Sequence, residues 1–207
     1  MAELSAFWDK MSDRYAAQPI ANEAAYKAKL ERTRAHLQPD MTLFEFGCGT
    51  GGTALAHAPF VRHIRAIDFS EPMLEKARRR ARETGITNVS FERGDITTEP
   101  MPETPYDMVL GLSILHLLKD NQAVIDKVYA MLRPGGLFVS STACVGDSLK
   151  ILGLIAPLGQ ALGLLPQLNV MSRTQLLARI TRPGFRIEEE WQPDPKAAVF
   201  VIARKPL

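Results

Sequence analysis

A run of glycines behind an acid is the first place in this 207-residue sequence where chemistry is expected. It reads Glu45-Phe46-Gly47-Cys48-Gly49-Thr50-Gly51-Gly52 and closes the apolar stretch MTLFEFG, residues 41–47. Glycines there let a chain turn sharply and approach a ligand with no Cβ in the way. Three further polar residues follow other apolar runs: Asp68 after HIRAI, Asp95 after VSFERG and His116 after YDMVLGLSIL. An acid such as Asp68 suits ribose hydroxyls. A neutral imidazole such as His116 suits a general base near pH 7, and a packed histidine in Ile-Leu-His-Leu-Leu explains it equally well.

The glycines alone leave two ligands open. Gly47, Gly49 and Gly52 satisfy the G-x-G-x-x-G spacing of dinucleotide binders, which keeps an NAD-dependent oxidoreductase in view. Charge separates the readings. A dinucleotide brings a pyrophosphate, which a carboxylate two residues before the first glycine opposes. S-adenosylmethionine has no phosphate, and its sulfonium and ammonium are cationic, so Glu45 suits it better. The N–H groups at the start of the next helix still suit its carboxylate. Asp95 is placed to accept from an adenine amino group, with Ile96 against the ring, and Phe69 is a further stacking candidate. Each has a plainer alternative: strand–helix packing for the glycines, a turn for Asp95, the core for Phe69 and Met73.

These positions need a scaffold that gathers strand ends. Two helices are expected over residues 3–36, where Trp8, Met11 and Tyr15, then Tyr26, Leu30 and Leu37, recur at helical spacing. Strands follow at 41–47, 63–68, 89–92, 106–112 and 136–143. Between them helices are expected from Gly51, from an N-cap at Ser70 through Thr84 with Gly85 past its end, and around 121–132. This alternation predicts parallel βαβ units in a doubly wound α/β sheet. The tail differs. RIEEEWQ (186–192) and AAVFVIARK (197–205) are separated only by Pro193, Asp194, Pro195 and Lys196, too short for a parallel crossover, so they must form an antiparallel hairpin.

The ordered set FEFGCGTGG, AIDFS, ERGDI, YDMVLGLSILHLL and LRPGGLFV resembles the motif series of class I S-adenosylmethionine-dependent methyltransferases. The resemblance covers residues 41–143 directly. FWDKMSDRY further resembles the N-terminal cap of the group that includes the ubiquinone-biosynthesis methyltransferases. The family implies a seven-stranded, mostly parallel sheet in the order 3-2-1-4-5-7-6, with an antiparallel C-terminal hairpin. The length fits one domain over 1–207, in which a helical cap at 1–38 and an apolar helical lid at 147–171 are expected. Roles carry over position by position. Glu45, Gly47, Cys48, Gly49, Thr50 and Gly51 would form the cofactor loop, and Asp68 would hold the ribose. Phe69 and Met73 would lie beside the adenine, framed by Asp95 and Ile96. Leu112 would offer its backbone near the methionyl ammonium, and Tyr15 would lie close to the methionyl end. The implied cofactor is S-adenosylmethionine, which leaves as S-adenosylhomocysteine.

Methyl transfer is displacement at a carbon already activated by positive sulfur. It demands alignment and exclusion of water, not an obligatory catalytic residue, so His116 is the sole general-base candidate. The apolar run Leu149 to Leu168 precedes a helix expected to start at Ser172. Insertions there tend to cover the substrate pocket in this family, which points to a small apolar or lipid-like acceptor. A helical pair that completes the core is the alternative. A non-catalytic cofactor-binding module also stays open.

Composition narrows the partners. A formal net charge of +2 gives no ground for a nucleic-acid partner. The basic run Lys76, Arg78, Arg79, Arg80 and Arg82 is explained by its place late in a helix. DNA amino-methylating enzymes usually show a polar-Pro-Pro-aromatic tetrad where this chain has Leu112-Ser113-Ile114-Leu115. Two cysteines without ligand spacing imply no metal site and a reducing cytoplasm. The N-terminus has no basic-then-apolar leader. Leu149 to Leu168 carries Lys150, Pro157, Gln160 and three glycines, a poor membrane span, although peripheral membrane contact stays open. A monomer or homodimer is expected.

Overall fold

The computed structural model describes residues 2–18, 22–144, 146 and 169–207; the side chains of 2–7, 15 and 16 lie outside that description. Seven strands form one sheet: β1 (Thr42–Phe46), β2 (His63–Asp68), β3 (Val89–Arg93), β4 (Tyr106–Leu112), β5 (Leu132–Thr142), β6 (Arg186–Trp191) and β7 (Val199–Arg204). Their order is β3-β2-β1-β4-β5-β7-β6. Six described helices accompany them: α1 (Ala2–Ala17), α2 (Glu23–Arg34), α3 (Gly52–His57), α4 (Glu71–Thr84), α5 (Asn121–Met131) and α6 (Arg173–Thr181). The doubly wound sheet with an antiparallel tail is therefore the fold. Two compact units divide the chain, one of residues 1–100 with 106–110, the other of 101–105 with 111–207.

In the first unit β1 is buried along Leu43 to Phe46, as a central parallel strand requires. Its register pairs Phe46 with Ile67 of β2, and β2 pairs Asp68 with Arg93 of β3. The turns that follow β1, β2 and β3 therefore leave the same edge of this sheet, the edge where α/β folds bind ligands. At the opposite end the Asp107 carboxylate accepts from the Thr42 N–H at 2.7 Å and Phe44 stacks on Tyr106 at 5.1 Å.

Helix α4 buries Met73, Leu74, Ala77 and Ala81 and ends at Gly85 in a left-handed cap. Its start corrects one expectation. Ser70 occupies the N-cap place, but its hydroxyl makes no cap bond and donates instead to Asp9 Oδ1 at 2.6 Å. A charge-assisted bond outcompetes a neutral one, so this serine ties α4 to α1. Lys76 adds a second tie, to Asp13 at 2.8 Å. Three more residues of the basic run are also absorbed. Arg78 meets Glu71 and the Phe91 carbonyl, Arg79 lies by Glu83, and Arg80 donates to Thr50.

In the second unit β7 lies between β5 and β6, antiparallel to both, and Val199 to Ala203 are buried. The expected hairpin is this β6–β7 pair, with a bulge between Ile187 and Glu189. The Ser172 hydroxyl and the Gln175 side chain form a capping box at α6, which starts where the sequence placed it. The Lys205 ammonium donates to the Tyr129 and Leu132 carbonyls at 2.8 and 2.7 Å, which satisfies the end of α5. The expected lid at 147–171 lies outside the described residues except for 169–171. Gly146 N–H donates to the Met171 carbonyl at 3.1 Å, so the chain leaves and returns at one place. Among the described residues, no helix is long and apolar enough to cross a membrane.

Candidate functional site

Beyond Phe46 the chain turns through three glycines of positive φ: Gly47 at 66°, Gly49 at 54° and Gly51 at 75°. A side chain in this region costs about 1–2 kcal/mol. Gly51 has a further reason to be glycine, because a Cβ there would stand 2.8 Å from the Phe91 ring and 2.9 Å from Ala77 Cβ. Packing alone therefore accounts for Gly51. Gly47 and Gly49 are half-exposed and bring bare backbone to the strand edge. The turn is pinned on several sides. Cys48 N–H donates to the Ile67 carbonyl at 3.1 Å, Gly49 N–H to Asp68 Oδ2 at 2.8 Å, and Arg80 to the Thr50 hydroxyl at 2.7 Å.

Two buried acids face this turn chemically. Asp68, only 8% exposed, takes Gly49 N–H on Oδ2 and Ser70 N–H on Oδ1 at 2.9 Å. A carboxylate has about four lone-pair sites, so Asp68 clamps the loop and still has acceptor capacity for hydroxyls. Burial raises its pKa against the pull of those N–H groups. Glu45 is 3% exposed, and its Oε2 has no hydrogen-bond partner among the described residues. Burial first, then the Asp68 charge, push its carboxyl up to about 8, against the pull of the Ala54 N–H. No cation among the described residues pairs with either acid. An orphaned buried carboxyl oxygen in a doubly acidic turn fits a ligand with cationic groups and opposes a pyrophosphate. The same surroundings hold the Cys48 thiol well above its usual range, which keeps it from acting as a thiolate.

Around the position expected for an adenine the picture divides. Met73 and Ile96 are 3% and 4% exposed, whereas Phe69 is half-buried, so of these three Phe69 has surface to offer a ring. Asp95 Oδ1 accepts from the Thr97 N–H and hydroxyl, both at 2.8 Å. Its first task is an Asx turn, the plainer of its two readings. The Tyr15 side chain lies outside the described residues.

The second unit carries Leu112 and His116. Leu112 ends β4 half-buried, and Ser113 after it has a φ of 59°, the sole positive value at a non-glycine among the described residues. Its N–H donates to the Ser141 carbonyl at 2.7 Å, which helps hold the chain in that conformation. Nothing in the sequence marks Ser113. His116 lies in a short 3₁₀ turn, its Nδ1 buried without a partner among the described residues, and burial lowers its pKa. Sequence reasoning also missed Arg80 and Phe91, which brace the loop, and Asp9, which holds Ser70 beside Asp68.

A doubly wound sheet whose first βα turn joins glycines to buried acids defines an α/β fold that binds a nucleoside cofactor without a pyrophosphate. A family model described as a methyltransferase domain matches residues 37–175. The chain belongs to that family, within the class I S-adenosylmethionine-dependent methyltransferases, and the dinucleotide reading of its glycines falls away. An uncharacterized methyltransferase, YcgJ, of Bacillus subtilis is 29% identical over 105 residues, 51% of this chain and 42% of that protein. A demethylmenaquinone methyltransferase of Clavibacter sepedonicus is 29% identical over 141 residues, 66% of this chain and 56% of that protein. The chain thus spans about half the length of these curated relatives. Among solved structures, the [4+2]-cyclase SpnF superposes with a TM-score of 0.78 at 19% identity, over 99% of this chain and 95% of that one. Likeness at that identity shows the fold.

Proposed function

We propose that this domain transfers a methyl group from S-adenosylmethionine to a small apolar or lipid-like acceptor by in-line displacement. The cofactor, when bound, supplies a methyl carbon activated by positive sulfur. Every other task falls to the chain. The observation that carries the reading is Glu45, whose buried, partnerless Oε2 is an acceptor waiting for a cationic group. Asp68 accepts the ribose hydroxyls while it holds Gly49, Phe69 and Asp95 receive the adenine, and the buried Ile96 enters on the family resemblance.

Leu112, Met73 and Tyr15 enter on the family resemblance. His116 enters as the general base, supported by a ring that burial keeps neutral at pH 7. The apolar acceptor rests on the Leu149 to Leu168 sequence and on the kind of relative named above. Two buried free thiols support a reducing, cytoplasmic setting, and a monomer or homodimer completes the proposal. The cyclase is a reminder that one fold serves several reactions, so turnover must be measured.

The test is calorimetric titration with S-adenosylhomocysteine, with NAD as the comparison, followed by methyl-transfer assays that start with apolar acceptors. One-site binding of S-adenosylhomocysteine without NAD binding is expected. Absence of that binding overturns the proposal, and binding without turnover of any acceptor returns the module reading.

A further inference from the structure

We propose that the polar cavity between the start of α5 and α6, in the second unit, binds a phosphate-type oxyanion. The inference rests on that cavity's own residues and stands apart from the methyl-transfer reading. The cavity measures about 330 Å³ and carries three cations, Lys119, Arg179 and Arg182, against one acid, Asp120. That acid is already engaged: its Oδ1 takes the Ala123 N–H at 3.0 Å as the N-cap of α5. None of the three cations meets a carboxylate among the described residues. Elsewhere Arg65, Arg78, Arg173 and Arg204 each meet a glutamate.

Arg179 is the built part of the site. It is half-buried, and its Nη1 donates to Asn121 Oδ1 and reaches Asn169 Oδ1 at 3.5 Å. Asn121 is 1% exposed and fixed by its own bond to the Leu115 carbonyl at 3.3 Å. Asn169 is fixed by bonds to the Leu118 and Lys119 carbonyls, both at 3.3 Å. The guanidinium therefore sits in one orientation, with neutral oxygens on one side and further N–H donors left to use. A planar fork held this way, with two more cations at the rim, matches the oxygens of a phosphate group. Whether that group belongs to a free phosphate ester or to a phospholipid headgroup, the chemistry at Arg179 is the same.

The experiment uses the full chain in phosphate-free buffer. Inorganic phosphate is titrated calorimetrically, and vesicles of phosphatidylcholine with and without phosphatidic acid are tested by co-sedimentation. The same measurements are made on the Lys119→Gln, Arg182→Gln double variant, whose changes fall on exposed side chains, and on Arg179→Lys, which keeps the charge and loses the fork. One-site phosphate binding is expected, weaker by about tenfold for each cation removed and about tenfold weaker in Arg179→Lys, a factor of ten being about 1.4 kcal/mol. S-adenosylhomocysteine affinity should be unchanged. Binding to phosphatidic acid vesicles alone, lost in the double variant, assigns the headgroup as the source. A wild-type chain that binds neither probe, or a double variant that binds as well as wild type, overturns the proposal.

Discussion

The glycine turn and the α5–α6 cavity both hold ionisable groups that no described side chain compensates, and they hold them in opposite ways. At the turn the charges are carboxylates taken out of water, so the site suppresses its own charge: Glu45 keeps its proton up to about pH 8. In the cavity the cations stand at a half-wet surface, within reach of water. A buried acid offers charge only when a cation arrives to stabilise it, whereas a wet cluster attracts its ligand from a distance. The first arrangement favours selection by contact, the second capture by field.

Glu45→Gln would break that contrast most strongly. The folded pKa of Glu45 lies above its ordinary 4.5, so the stability linked to it is full below pH 4.5 and lost as pH rises through about 8. Removing the ionisable group should raise the stability of the ligand-free protein at pH 8 by on the order of 3 kcal/mol, read by urea unfolding, and should weaken S-adenosylhomocysteine binding. A variant that is no more stable at pH 8 than the wild type would place the carboxyl in a wetter setting.

His57 provides the control of opposite sign within the first unit. Both ring nitrogens are buried without partners among the described residues, and burial with the nearby Arg34 charge depresses its pKa from 6.5 to about 4. The unfolded chain then binds more protons in that window, so stability is full above pH 6.5 and falls by about 3 kcal/mol as pH drops to 4. His57→Leu should flatten that part of the profile, and an unchanged acid limb would sink the assignment.

Smaller effects sharpen the comparison. Asp68→Ala should cost about 1–3 kcal/mol of S-adenosylhomocysteine affinity, with the Gly49 tether lost as well. Unaltered affinity in a folded variant would remove Asp68 from the site. Least of all, raising salt from 0.05 to about 0.5 M should weaken phosphate binding severalfold and leave S-adenosylhomocysteine binding nearly constant, because exposed charges are screened and buried ones are not. Equal salt responses would mean that the two sites do not differ in this way.

Much of this was legible before the structure. The alternation of apolar runs implied the parallel sheet, and the short 192–197 connection forced the antiparallel tail, because both follow from local spacing and chain reach. The strand order came from family resemblance, since alternation does not rank neighbours. At the site, Glu45 and the glycines were readable because they sit in one contiguous turn, and Asp68 because it ends the next strand. Their supports were not. Phe91 and Arg80 reach the turn from β3 and α4, Asp9 reaches Ser70 from α1, and no periodicity announces such meetings. Ser70 looked like a cap because residue type gives the preference and not the competitor. Lys119, Arg179 and Arg182 come from either side of the 147–168 segment, so their convergence has no sequence signature.

One small fact about the thiols has a practical use. Cys48 and Cys144 are the protein's only cysteines, both free and both buried, the former with a pKa held far above neutrality. Alkylating reagents need an accessible thiolate. A single cysteine introduced on the surface, at Ser113 for instance, would thus label selectively in the otherwise unmodified background. Distance measurements and single-molecule recordings on this protein could begin without first stripping its native sulfur.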